Sequence, residues 1–298
     1  MTAPTTARGD YSLAPAYAAA VAVIIWGATP AATKFAVIHM DPLVAGILRT
    51  VIAGALVLPI AVIARLTLPS DRLSWALLAA SSLGGFVAFT LFFSYGVEQT
   101  SASHAALINA GIPIFTGIFG VIAERRLPGR LWFTGVAVAF LGGILLITAR
   151  GPGIGDATVV GDLLCVMASM SAALAYVSGA HLARRIGTIS VTFWGLALAA
   201  VVQFPILVWA GTGTDWAAIN NVGWMAVIYL AVGASILAYL AWIWALAVGG
   251  AVRMGTVQFA MPIISLSLAV ILFNETMTMA LLVAAVMIVS GIALARRG

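Results

Sequence analysis

Ten apolar runs follow one another with little between them. They fall at roughly 15–37, 42–64, 74–96, 101–123, 130–149, 160–181, 190–210, 222–246, 253–273 and 277–295. A helix needs about 20 apolar residues to cross the hydrocarbon layer. In lipid every backbone polar group must be paired within the protein, which leaves helices as the form such runs can take. Apolar residues make up 63% of the 298 and charged ones 8%, against about 25% charged in a soluble domain. The chain therefore reads as an all-α integral membrane protein of ten transmembrane helices, with a short polar tail at residues 1–14. The first run continues past Trp26 to about Val37, longer than the core of a cleaved signal peptide.

The cations set the expected orientation. With the N-terminus placed inside, Arg8, Arg65, Arg72, Arg125, Arg126, Arg130, Arg184, Arg185, Arg253, Arg296 and Arg297 fall on the inner side, and Lys34, Arg49 and Arg150 on the outer. Cations concentrate on the cytoplasmic side of membrane proteins, so both termini are expected there. The net charge of +5 is dispersed between apolar runs and implies no nucleic-acid partner. The expected partners are the lipid bilayer and a small-molecule substrate.

A shift of 149 residues carries Trp75 onto Trp224, Gly84 onto Gly233, Tyr95 onto Trp244, Asn109 onto Gln258 and Pro113 onto Pro262; Gly143 meets Gly291 at 148. Residues 15–150 and 151–298 thus read as two five-helix repeats. An odd number of spans inserts the second copy upside down, the inverted-topology plan of secondary transporters, whose site lies near the midplane between halves. The two amide–proline pairs are the centre of this reading. Proline has no N–H, so a helix bent at Pro113 or Pro262 leaves free the carbonyl of the residue four back, Asn109 or Gln258. Unpaired groups at that depth are tolerated where they line a cavity.

The stretch Tyr95 to Ser103, Ala105-Ala106, Pro113, Glu124-Arg125-Arg126-Leu127 and Gly142-Gly143 resembles the first half of an EamA-type carrier of the drug/metabolite transporter superfamily. Ala245, Pro262, Asn274-Glu275 and Gly291 match the second half in order, and Trp26-Gly27 and Arg49 also fit. Within that superfamily the chain most resembles the YddG-like bacterial amino-acid exporters. The resemblance implies a multi-pass protein of a bacterial-type cytoplasmic (inner) membrane. In the aromatic-amino-acid version bulky aromatics flank the asparagine and precede the proline; here Ala110 and Ile112 stand there, so the implied substrates extend to other neutral amino acids.

Asn109 and Gln258 are the expected substrate-binding amides, with His104 as a carboxylate partner or pH sensor. Trp26, Phe89, Phe92, Tyr176, Tyr239 and Trp242 are expected to wall the path, their rings suited to apolar side chains and ammonium groups. Pro113 and Pro262 are expected kinks. Lys34, Arg49 and Glu98 are placed toward the outer mouth as gating groups, with Arg49 expected to snorkel outward. Glu124 and Glu275 close spans 4 and 9 as structural groups, and Gly135, Ala139 and Gly143 form a small-residue packing face.

What is missing narrows the class. No G-x-x-x-x-G-K-[ST] surrounds Lys34, which excludes ATP-driven transport by this chain alone. No zinc-protease or nucleophile-elbow motif occurs, so the expectation is not an enzyme, with no metal and no cofactor. The one cysteine, Cys165, can form no intrachain disulfide. Every Asp and Glu maps to a tail, a loop or a span end, and proton-coupled carriers keep a buried carboxylate. Facilitated diffusion is therefore favoured over proton coupling, with His104 and Glu98 as the proton handles left. A multidrug or nucleotide-sugar carrier of the same superfamily is the alternative, and a membrane-embedded enzyme a more distant one.

Overall fold

The computed structural model describes residues 13–124, 128–148, 157–249, 257, 260–295 and 297. Helices are the only regular structure among the described residues. In order they are α1 (Ala14–Gly27), α2 (Thr29–His39), α3 (Pro42–Ile63), α4 (Arg72–Ser82), a π-helical segment (Leu83–Ala88), α5 (Phe89–Glu98), α6 (Ala102–Ala110), α7 (Ile112–Glu124), α8 (Arg130–Thr148), α9 (Val159–Ile186), α10 (Thr188–Thr212), α11 (Asn221–Ile228), a second π-helical segment (Tyr229–Leu237), α12 (Ala238–Gly249), α13 (Met261–Phe273) and α14 (Met279–Ala295). Eight continuous stretches are long and apolar enough to cross a membrane, from Ala14–His39 to Asn221–Trp242; α13 and α14 are shorter apolar helices.

Local chemistry sets most of the starts. The side chains of Asp41, Asp71, Ser101, Thr158 and Asn220 each accept an amide hydrogen from the first turn of α3, α4, α6, α9 and α11, satisfying donors that a helix start leaves open. Gly187 alone joins α9 to α10, at φ +83°, a conformation cheap only for glycine.

The loops sort to two ends. At one, Thr158 N–H and Oγ1 both donate to Gln99 O, at 3.0 and 2.7 Å. Glu275 accepts there from the amides of Ala102 and Ser103, at 2.7 and 3.0 Å, a carboxylate on a helix N-terminus. Gly223 lies against His39 and Met40 at the same end. At the other end, Arg185 bridges Asp71 at 3.2 Å, and Trp194 Nε1–H donates to Leu66 O. Ala19 near the chain's start packs on Ala245 there, and Ala295 on Gly135.

The tightest pairings depend on missing side chains. A Cβ on Gly135 would lie 2.3 Å from Ala295 N, and one on Gly291 2.6 Å from Ala139 N, so α8 and α14 touch backbone to backbone. Likewise α3 meets α10 where a Cβ on Gly54 would lie 2.8 Å from Leu196 O. The expected glycine face needs one correction. Gly143 meets nothing within 4 Å, while Gly142 faces Met287 and Ala284. The contact runs over positions 135, 139 and 142, following the helix's own period, rather than a strict four-residue one.

Asp71 offers a test at the water-facing end. Its carboxyl is held below the usual range by Ser74, whose hydroxyl and amide donate to it. A depressed carboxyl stabilises the fold above its unfolded pKa of about 4, and that contribution fades as pH falls through the lower folded value. Asp71→Asn is expected to remove this acid-limb component. A melting curve against pH that keeps the same slope below about pH 4 in both proteins would contradict it.

Candidate functional site

A cavity of about 720 Å3 lies inside the bundle. Its walls come from both halves of the chain: Trp26, Thr29, Arg49, Phe86, Phe89, Asn109 and Pro113 from one, and Tyr176, Ser235, Tyr239, Trp242 and Pro262 from the other. It extends to Trp132, Ala183, Thr188 and Ala295, at the end that carries the Asp71–Arg185 bridge.

The helix breaks position these groups. α6 stops at Ala110, and α7 begins at Ile112 with Pro113 as its second residue; Gly111 N–H bonds Ile108 O and Ile114 N–H bonds Gly111 O, the tight i to i+3 pattern of a joint. Pro262 is likewise the second residue of α13. Both prolines therefore open new helices, where the missing N–H costs nothing, instead of kinking continuous ones. Asn109, in the last turn before the first joint, is buried, and its Oδ1 has no hydrogen-bond partner. Gln258 lies outside the described residues.

The first span breaks too, between Gly27 and Thr29. Tyr229 Oη donates to Ile25 O at 2.6 Å and Ser265 Oγ to Gly27 O at 2.7 Å, pinning the break from two sides. Trp26 Nε1–H donates to Ala234 O at 3.0 Å. The Trp26 ring sits edge-on to Tyr239, with centroids 5.2 Å apart, and tilts against Trp242 at 5.8 Å. Tyr176 and Tyr239 both line the cavity, and the Tyr239 ring also tilts against Phe86 at 6.0 Å. Phe89, stacked on Phe93 at 5.2 Å, completes this aromatic wall. Five of the six expected wall residues thus line the cavity; Phe92 does not, and packs against the core between helices.

The two π-helical segments were not foreseen. In the first, Phe86 O accepts from Thr50 Oγ1 (3.0 Å), Thr90 Oγ1 (2.9 Å) and Gln203 Nε2 (2.7 Å). The wider turn breaks the i to i−4 pairing, and side chains from α3, α5 and α10 cover the carbonyl it releases. In the second segment Ser235 is 4% exposed and meets Arg49.

The charged residues depart furthest from expectation. Arg49 does not reach outward: it is 5% exposed, lines the cavity, and donates from Nη2 to Ser235 Oγ at 3.3 Å, with its Nε unpaired. Seven residues past the first residue of α3, its side chain is packed inside the bundle and turns to the central cavity. Lys34 is not at a mouth: its Nζ donates to Val97 O (2.9 Å), Glu98 O (3.4 Å) and Thr100 O (2.7 Å), capping the carbonyl end of α5. The Glu98 side chain is exposed, away from the cavity.

His104 is not in the cavity either. It is fully buried at the opposite end, with Nδ1 within 3.0 Å of Asp162 Oδ2. Asp162 also accepts from Thr100 Oγ1. Asp162 is at a span end, as expected of every carboxylate, yet it is 0% exposed, because α6 and the 99–102 turn fold over the start of α9. The expectation that no carboxylate is buried is therefore wrong. Among the described residues no group of three or more His, Cys, Asp or Glu is placed to hold a metal.

The EamA-like transporter family model matches the chain twice, over residues 14–148 and 159–297. The chain belongs to this family. Similar relatives include an uncharacterized transporter, YdeK of Bacillus subtilis, 27% identical over 93% of this chain and 95% of its own. Protein PecM of Dickeya dadantii is 24% identical over 90% and 87%. A solved crystal structure aligns with a TM-score of 0.62 over 95% of this chain and 98% of its own, at 20% identity, which establishes likeness of fold. The chain is thus a multi-pass membrane protein of a transporter family.

Proposed function

We propose that the chain is a secondary carrier that exports small polar metabolites, amino acids foremost, by alternating access and without ATP. The observation that carries this is the cavity itself: aromatic groups gathered from both halves of the chain around the Asn109 amide and the Arg49 guanidinium, in a space reaching one end of the bundle and closed at the other. Its volume suits an amino acid with a bulky side chain together with several waters.

Ten spans in two inverted five-helix repeats fit the packing. Shifting by 149 carries Leu83–Ala88 into Tyr229–Leu237, so the π-helical segments correspond, as do the two helix-opening prolines. In this reading α13 and α14 are the ninth and tenth spans. The arginine asymmetry puts Ala14 and Ala295 on the cytoplasmic side, and the cavity then faces inward. Facilitated diffusion is the mechanism favoured here: among the described residues no carboxylate lines the cavity, and Asp162 is locked in the closed end. Among the described residues Arg49 is the one cation lining the cavity and no acid joins it, which speaks against nucleotide-sugar and cationic-drug cargo.

Purified protein in liposomes loaded with labelled amino acids tests the reading. Efflux of neutral amino acids is expected, lost on Asn109→Ala at normal expression and unchanged by a pH gradient. Flux of a cationic drug or a sugar nucleotide, with none for any amino acid, would overturn it.

A further inference from the structure

We infer that Arg49 is the anchor for the substrate's carboxylate, and that the cavity selects molecules carrying a carboxylate and a primary ammonium together. This rests on the carrier reading above and assigns the chemistry of its site.

Arg49 is a buried cation short of partners. A guanidinium has five N–H donors; here one is shared with a hydroxyl at 3.3 Å and Nε has no acceptor. A charge taken out of water without an opposite charge is strongly unfavourable, and no Asp or Glu among the described residues lines this cavity. No described carboxylate supplies the missing anion here, and a bound substrate would. Carboxylate matches the planar fork of arginine better than any other small biological anion apart from phosphate. Two phenol hydroxyls, of Tyr176 and of Tyr239 one turn past Ser235, belong to residues lining the same cavity.

A plain anion would leave the other wall unanswered. Asn109 Oδ1 and Thr29 Oγ1 line the same cavity, each residue is 5% exposed, and neither atom has a partner. A buried acceptor needs a donor. Asn109 and Arg49 also share a depth: each is seven residues past the first residue of its helix, Ala102 or Pro42, and those helices start at the same end of the bundle. The rings of Trp26, Tyr239 and Trp242 line the same cavity, faces that favour an ammonium and accept an apolar side chain. Arg49 and these two partnerless oxygens, set in one cavity, describe a zwitterion.

Binding to the purified full chain, read by tryptophan fluorescence, gives the test. The probes are phenylalanine, its methyl ester, its N-acetyl derivative, phenethylamine, phenylpropionate and inorganic phosphate. Phenylalanine is expected to bind at least about tenfold tighter than each other probe, the value of one lost charged hydrogen bond. Arg49→Gln should weaken phenylalanine by a similar factor and erase the preference over the methyl ester. Arg49→Lys, which keeps the cation, should restore part of it. Unchanged phenylalanine binding in a monodisperse Arg49→Gln protein overturns the anchor while leaving the carrier reading intact. If phenylpropionate or phosphate binds, phenylalanine does not, and Arg49→Gln abolishes that binding, the zwitterion is overturned and the amino-acid cargo falls with it.

Discussion

Asp162→Ala is expected to destabilise the protein by about 2–5 kcal/mol, the range for removing one partner of a fully buried polar pair. The carboxylate holds the His104 imidazole and the Thr100 hydroxyl, and all three residues are almost wholly inaccessible. Alanine would leave both hydrogen-bonding groups facing a small cavity. Lys34 is part of the same construction, since its ammonium bonds the Thr100 carbonyl. Thermal aggregation of the detergent-solubilised chain measures the loss. A double-mutant cycle with His104→Ala separates a coupled pair from two independent sites, because touching residues show strong non-additivity. If the double variant loses the sum of the two single losses, the pair is not the element that closes this end.

Gly291→Val is expected to prevent α14 from seating on α8. Even a bare Cβ would lie 2.6 Å from both Ala139 N and Gly135 O, and backbone atoms cannot swing aside as side chains can. Overpacking of this kind costs about 1–3 kcal/mol and more where relief is blocked. In lipid the loss is compounded, because close backbone approach is what holds small-residue helix pairs together. Gly143→Ala is the control: it sits on α8, the other helix of the pair, with nothing within 4 Å of the added carbon, and it should fall within about 0.5 kcal/mol of the parent. Expression and monodispersity of the two variants decide the matter. Equal behaviour would mean that α8 and α14 part easily.

The long helices were legible because apolar run length is a one-dimensional signal, and eight of the expected crossings run unbroken through α-helix, joint or π-turn. The aromatic wall was nearly as legible, since Trp26, Phe89, Tyr176, Tyr239 and Trp242 needed only a mid-span position. Charged side chains were not. Arg49 and Lys34 are both cations within two turns of an expected span end, and which one turns inward depends on neighbours far along the chain: Ser235 for one, the 97–100 carbonyls for the other. Asp162 was misjudged because position in a span says nothing about which loop folds over it. The π-turns left no compositional trace beyond glycine at Gly84 and Gly233, a residue that membrane helices use for several other purposes.

Those wide turns have a consequence for how the chain tolerates change. Each stows a surplus residue inside a membrane crossing, so the stretch downstream is rotated by about 100° from where an unbroken spiral would aim it. Phe89 and Thr90 follow the first turn, Tyr239 and Trp242 the second, and all four face the central space because of that offset. Deleting Gly85 alone would therefore relax Leu83–Ala88 to ordinary winding and leave Phe89 at its station, whereas ordinary winding with every residue kept would swing Phe89 out by that angle.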